Sequence, residues 1–86
     1  MNGRRVYPNE KGEVWFKEGD YGRDPNDGEW KGRPPGCHLG SFADHEVVEH
    51  DDGTITVSPS ILVTHPEPIG IVEWHGYLER GVWRVA

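Results

Sequence analysis

The sequence predicts a mostly-β fold: one small domain, residues 1–86, of antiparallel hairpins with a long Gly/Pro-rich loop at residues 18–36. Three observations carry the prediction. Apolar and polar residues alternate in Thr54-Ile-Thr-Val-Ser58 and again through Ile69–Leu78 and Val82–Val85, which is the period of a half-buried strand. Asp-Gly and Arg-Gly turn signals border those runs, at Asp52-Gly53 and Arg80-Gly81. Twelve Gly and seven Pro punctuate the chain, and both residues interrupt regular structure more than they extend it.

Taken in order, Val6-Tyr7-Pro8 suits a short edge strand, because Pro is tolerated at edges and ends. Asn9–Gly12 reads as a turn. Glu13-Val-Trp-Phe-Lys17 has the aromatic and β-branched content of a strand. Residues 18–36 are dominated by Gly, Asp, Asn, Pro, Lys, Arg and Glu, with Tyr21 and Trp30 isolated among them. A loop of that length in a compact domain is usually functional or disordered. Trp30 is either an anchor pinning the loop to the core or an exposed contact residue.

Ala43–His50 allows a helical turn or a strand. The Asp51-Asp52-Gly53 turn after it favours a hairpin over residues 45–58, with Ile55 and Val57 sharing one face. Ser58-Pro59-Ser60 breaks that strand. Ile61–Thr64 then either continues it past a bulge or forms a new one. His65-Pro-Glu-Pro68 is a stiff, extended connector. A last hairpin spans residues 69–85. In its first arm Ile71, Glu73, His75 and Tyr77 share one face, and Val72, Trp74, Gly76 and Leu78 the other. Leu, Ile, Val and Phe number only 18 of 86, so four Trp and three Tyr must supply much of the core. Trp74 and Trp83 are expected to meet across the last hairpin and to be chiefly structural.

The charge is uneven. Residues 1–43 carry seven acids and seven bases, whereas residues 44–86 carry eight acids and two bases, which accounts for the net −6. Between 44 and 67 there are six acids and no Lys or Arg. A surface that tracks phosphates needs clustered cations, so direct nucleic-acid binding is not expected. No apolar run approaches the length of a membrane span. The single Cys rules out an internal disulfide and suits a reducing compartment. Met1–Val6 has basic residues without the apolar stretch of a secretory signal.

Cys37, His38, His45, His50, His65 and His75 are the available soft or imidazole ligands. His45 and His50 fit an H-x₄-H spacing, with Cys37-His38 upstream, although structural zinc sites generally use more than one thiolate. A cysteine hydrolase built on Cys37, a His and Asp44 lacks a helix N-terminus or cation to lower the thiol pKa. No phosphate-binding Gly motif is present. Glu46, Glu49, Asp51 and Asp52 form an acidic stretch. With Tyr21 and Trp30 of the long loop, they are the residues expected to contact a partner, since Trp and Tyr dominate interface hot spots.

At Asp52-Gly-Thr-Ile-Thr-Val-Ser-Pro-Ser-Ile61 and Trp74-His-Gly-Tyr-Leu-Glu-Arg-Gly-Val82 the chain resembles an uncharacterised family of small phage and bacterial proteins. That family combines a Cys-rich cluster, a D-G-T-x-T-x-S-P-S strand and a terminal aromatic-His hairpin, and the likeness spans residues 36–84. The resemblance implies zinc at Cys37, His38 and His75, although only Cys37 stands where the family has several cysteines. It also implies a phage or mobile-element origin, and with it the cytoplasm of a bacterial host. The expectation is therefore a non-catalytic protein-interaction module that needs no cofactor and binds a host or viral protein through an acidic and aromatic surface. The alternative is a small zinc-binding module or enzyme using Cys37 and histidines.

Overall fold

The computed structural model describes every residue except Pro66 and Ile69, where part of the expected connector and the start of the last hairpin lie outside the described residues. Turn chemistry sets the second half of the chain. Between β7 (Val72–Glu79) and β8 (Val82–Val85), Arg80 and Gly81 have φ of 45° and 76°, the left-handed pair of a type I′ hairpin turn. Between β5 (Glu46–Glu49) and β6 (Ile55–Thr64), Gly53 has φ 86° and donates to the His50 carbonyl at 2.9 Å. Asp52 Oδ1 closes that turn by accepting from the Thr54 N–H (3.0 Å) and hydroxyl (2.6 Å). β6 pairs with both β5 and β7, giving an antiparallel sheet ordered β5-β6-β7-β8.

Ser58-Pro59-Ser60 does not end β6. The β5 ladder stops at Ser58 and the β6–β7 register shifts between Val57 and Ile61, so Pro59, which has no N–H, sits in an irregularity rather than in a ladder. Both hairpins stand where the turn signals place them, at 46–58 within 45–58 and at 72–85 within 69–85.

The first half departs from expectation. Residues 13–17 alternate in exposure, with Val14 and Phe16 half-buried and Trp15 exposed, but they pair with no strand. Residues 18–36 are not one continuous loop: β2 (Asp20–Arg23) and β3 (Trp30–Gly32) pair antiparallel within them. Their polar, Gly-rich composition hides this hairpin because the ladder needs only backbone groups. The edge strand is β1 (Arg4–Arg5), parallel to β2, rather than Val6–Pro8; Val6 extends it by one bond to the Tyr21 carbonyl at 2.9 Å. With β4 (Gly40–Ser41) these form the second sheet, β1-β2-β3-β4.

One buried cluster joins the sheets. Ile55, Val57, Ile61 and Val63 of β6, Trp74 and Leu78 of β7 and Trp83 of β8 meet Tyr21, Cys37 and Phe42 from the first half. Trp74 and Trp83 pack edge to face, 5.6 Å apart. Gly76 makes room for this, since a Cβ there would lie 2.5 Å from the Trp74 ring and against the Arg84 carbonyl oxygen. The Trp83 indole N–H crosses to the other sheet and donates to the Gly19 carbonyl at 2.9 Å.

The chain start binds the two sheets along one seam. Trp83 donates to the Met1 carbonyl (2.8 Å), the Met1 amino nitrogen donates to the Trp83 carbonyl (3.0 Å), and Gly3 donates to the Gly81 carbonyl (2.7 Å). Two residues later the same segment is β1 of the other sheet. Among the described residues no helix is long and apolar enough to cross a membrane.

Candidate partner-binding surface

The acidic residues gather along β5 and the turn after it, beside Arg5 and Arg80. β5 is the edge strand of its sheet, with Glu46 and Glu49 at its ends and Asp51 and Asp52 in the turn that follows. Alternation places Val47 against the core and leaves Glu46 and Val48 outward, Val48 being 47% exposed. A polar groove of about 380 Å³ lies at Glu49, His50, Asp51, Asp52 and Arg80. Asp52 is held below the usual carboxylate range by the Thr54 hydroxyl and then by the Thr54 N–H, so it is charged at neutral pH.

Trp30 stands at the same rim. It is half-buried and packs on the core, so it is both anchor and surface. It helps to line a groove of about 310 Å³ between β3 and β5, with Phe42, Ala43, His45 and Val47. Arg5 links the parts: its guanidinium lies 4.8 Å from the Trp30 ring centre and 4.5 Å from that of Tyr7. The same group donates to Glu49 Oε2 and to the Gly53 carbonyl, both at 2.8 Å. Contact with an aromatic face favours a cation, and the carboxylate adds to it.

Of the expected partner residues, Glu49, Asp51 and Asp52 line one groove, Arg5 joins Glu49 to Trp30, and Glu46 lies on the outer face of the same edge strand. Tyr21 is corrected. It is 1% exposed, with its ring in the core and its hydroxyl beside Gly81, so no partner reaches it without unfolding. Strand β2 runs through the interior, with Asp20, Tyr21 and Gly22 all buried, and so carries Tyr21 inward. Arg5, Tyr7 and Val47 belong to the surface and were not expected there. Arg5 lies 44 positions from Glu49, and no local pattern signals a pairing over that distance.

The expected zinc ligands are placed differently. Cys37 is 3% exposed. Burial, then the negative charge of Glu73, pushes its thiol pKa up, so it is no thiolate at neutral pH. His38 Nδ1 lies 2.8 Å from Glu73 Oε2. His75 Nε2 lies 3.1 Å from Ser60 Oγ on the outer face of β7. His45 Nε2 and His50 Nε2 face the Ser60 carbonyl (3.2 Å) and the Thr56 hydroxyl (2.8 Å), while the buried His45 Nδ1 has no partner among the described residues. Among the described residues no three His, Cys, Asp or Glu side chains converge to hold a metal ion.

Compared with family models, curated proteins and solved structures, the chain matches none.

Proposed function

We propose that this protein is a non-catalytic interaction module that binds another protein at the rim formed by β5, the Asp51–Gly53 turn and Trp30. One observation carries the reading: Arg5 ties the acidic edge to an aromatic groove, so charge and apolar contact area lie side by side. An acidic rim speeds encounter with a basic partner surface, and a half-buried Trp beside it supplies the contact area typical of hot spots.

The test uses a variant that spares the fold. Glu49 and Asp52 hold Arg5 and Thr54, so they stay. Glu46 and Asp51 are exposed and enter no ion pair among the described residues. A partner is identified by crosslinking from a photoreactive residue at position 48, purified, and its association rate followed with salt. The wild-type rate should fall as salt rises, because the Debye length contracts from about 10 Å at 0.1 M to about 3 Å at 1 M. The folded variant Glu46→Lys/Asp51→Lys should associate about threefold or more slowly at low salt. An unchanged rate removes the acidic rim from the binding face.

A further inference from the structure

We infer that the rim binds its partner by strand addition: an extended segment of alternating basic and apolar residues pairs with the open edge of β5. This rests on the protein-interaction reading above and specifies its mode and the chemistry of the segment bound.

The backbone of β5 supports this. His50 donates to the Thr54 carbonyl at 2.8 Å, which makes 50/54 a hydrogen-bonded pair of the hairpin. In an antiparallel ladder such pairs recur every second residue, so Val48/Thr56 and Glu46/Ser58 also face each other through hydrogen bonds. Val47 and Glu49, between them, turn their N–H and C=O groups away from β6. No strand lies on that side, and no loop or side chain among the described residues bonds those groups. They form a short template for another chain.

The side chains beside that edge state what fits. On the inner side an arriving strand meets a groove of mixed lining, in which Trp30, Phe42, Ala43 and Val47 offer contact to an apolar residue beside Glu29 and His45. On the outer side it meets Glu46 and Val48, and the exposed Asp44 and Asp51 precede and follow the strand in the chain, which suits Lys or Arg. Successive residues of a strand point to opposite faces, so the segment alternates. A second copy of the chain fits poorly. It would bring together two molecules of net charge −6 at their acidic edges.

The test titrates ¹⁵N-labelled protein with three peptides: one alternating lysine and valine, the same peptide N-methylated at its valines, and one with glutamate for lysine. Amide hydrogen exchange is read residue by residue. With the first peptide, exchange at Val47 and Glu49 should slow about tenfold or more, while Glu46 and Val48, already bonded to β6, change little. N-methylation removes backbone donors and keeps the charge, so it should weaken binding about tenfold or more. The glutamate peptide should not bind.

Strand addition is overturned if the N-methylated peptide binds as well as the first. Shift changes at Glu46 and Asp51 in that case mark a contact made by charge alone, and the interaction reading survives. Failure of the first peptide to bind overturns the inference. So does protection confined to another edge, or peptide-free dimerisation with Val47 and Glu49 protected. The interaction reading itself fails only in the association-rate experiment with the captured partner.

Discussion

Trp83 touches both sheets at once. Its ring packs on Trp74 and lies 6.5 Å from Phe42, while its N–H bonds the Gly19 carbonyl. It is 2% exposed, and replacing a buried Trp by Ala costs about 3–5 kcal/mol against a total stability of about 5–15 kcal/mol. Trp83→Ala should therefore melt more than about 10 °C below wild type; a shift of a degree or two would contradict the packing described. Among the described residues, Asp20 is the buried charge. It accepts from Arg4 Nε (3.0 Å), Arg4 Nη2 (2.9 Å) and the Lys17 N–H (2.9 Å). Burial pushes its carboxyl pKa up, but the Arg4 and Lys17 hydrogen bonds and charges outweigh this and hold it below the usual 3.8. A carboxylate with a depressed folded-state pKa stabilises the fold above its unfolded value, and that stability is lost as pH falls through the folded value. Asp20→Asn should cost about 2 kcal/mol near neutral pH. Denaturant titrations should show the gap to wild type closing below the ordinary carboxylate value of 3.8. A gap independent of pH would mean that the ion pair does not form.

Among the elements, the turns carry the plainest contrast. Gly12 and Gly81 both have φ +76°, where an L-residue costs roughly 1–2 kcal/mol. A Cβ at Gly12 meets nothing within 4 Å, whereas at Gly81 it meets the Tyr21 hydroxyl at 2.5 Å and Thr54 Cγ2 at 3.0 Å. Gly81→Ala should lower the melting temperature clearly more than Gly12→Ala. Equal shifts would show that the Gly81 turn does not rest on Tyr21. The same elements show how far the sequence could be read. Asp52-Gly53 and Arg80-Gly81 announce their hairpins because turn geometry is local. Glu13–Lys17 has strand composition but no partner, and β2 and β3 have a partner without strand composition. A ladder is a property of two segments, and neither segment alone reveals it.

For the whole molecule, the first residues act as a clasp. Residues 1–2 pair with β8, Gly3 bonds Gly81 in the turn before it, and residues 4–5 pair with β2, so one short segment joins both sheets. A chain lacking residues 1–5 loses the four backbone bonds made by Met1, Gly3 and Arg4, the β1–β2 pairing and the Arg4–Asp20 ion pair; at roughly 1 kcal/mol per bond this is a large part of a small domain's stability. It should be unfolded or melt far below the full chain by circular dichroism. A truncated protein as stable as the parent would refute the clasp. The candidate surface also exists only at this scale. The acidic stretch 44–52 is visible as composition, but the Trp30 groove beside it and the Arg5 link require both sheets to be in place.

The sequence by itself determined what depends on near neighbours: the β class, both hairpins of the second half, the shared face of Ile55 and Val57 and that of Trp74 and Leu78, and the acidic half. Each follows from residues a few positions apart, through turn dihedrals and the two-residue period of a strand. Only the tertiary structure decided that Tyr21 is core, that Trp30 faces a groove, and that Arg5 joins Glu49 across 44 positions. It also decided that Cys37 is a buried, protonated thiol. Those outcomes turn on burial, and burial is settled by which distant segment packs opposite, a relation that no local run of residues encodes.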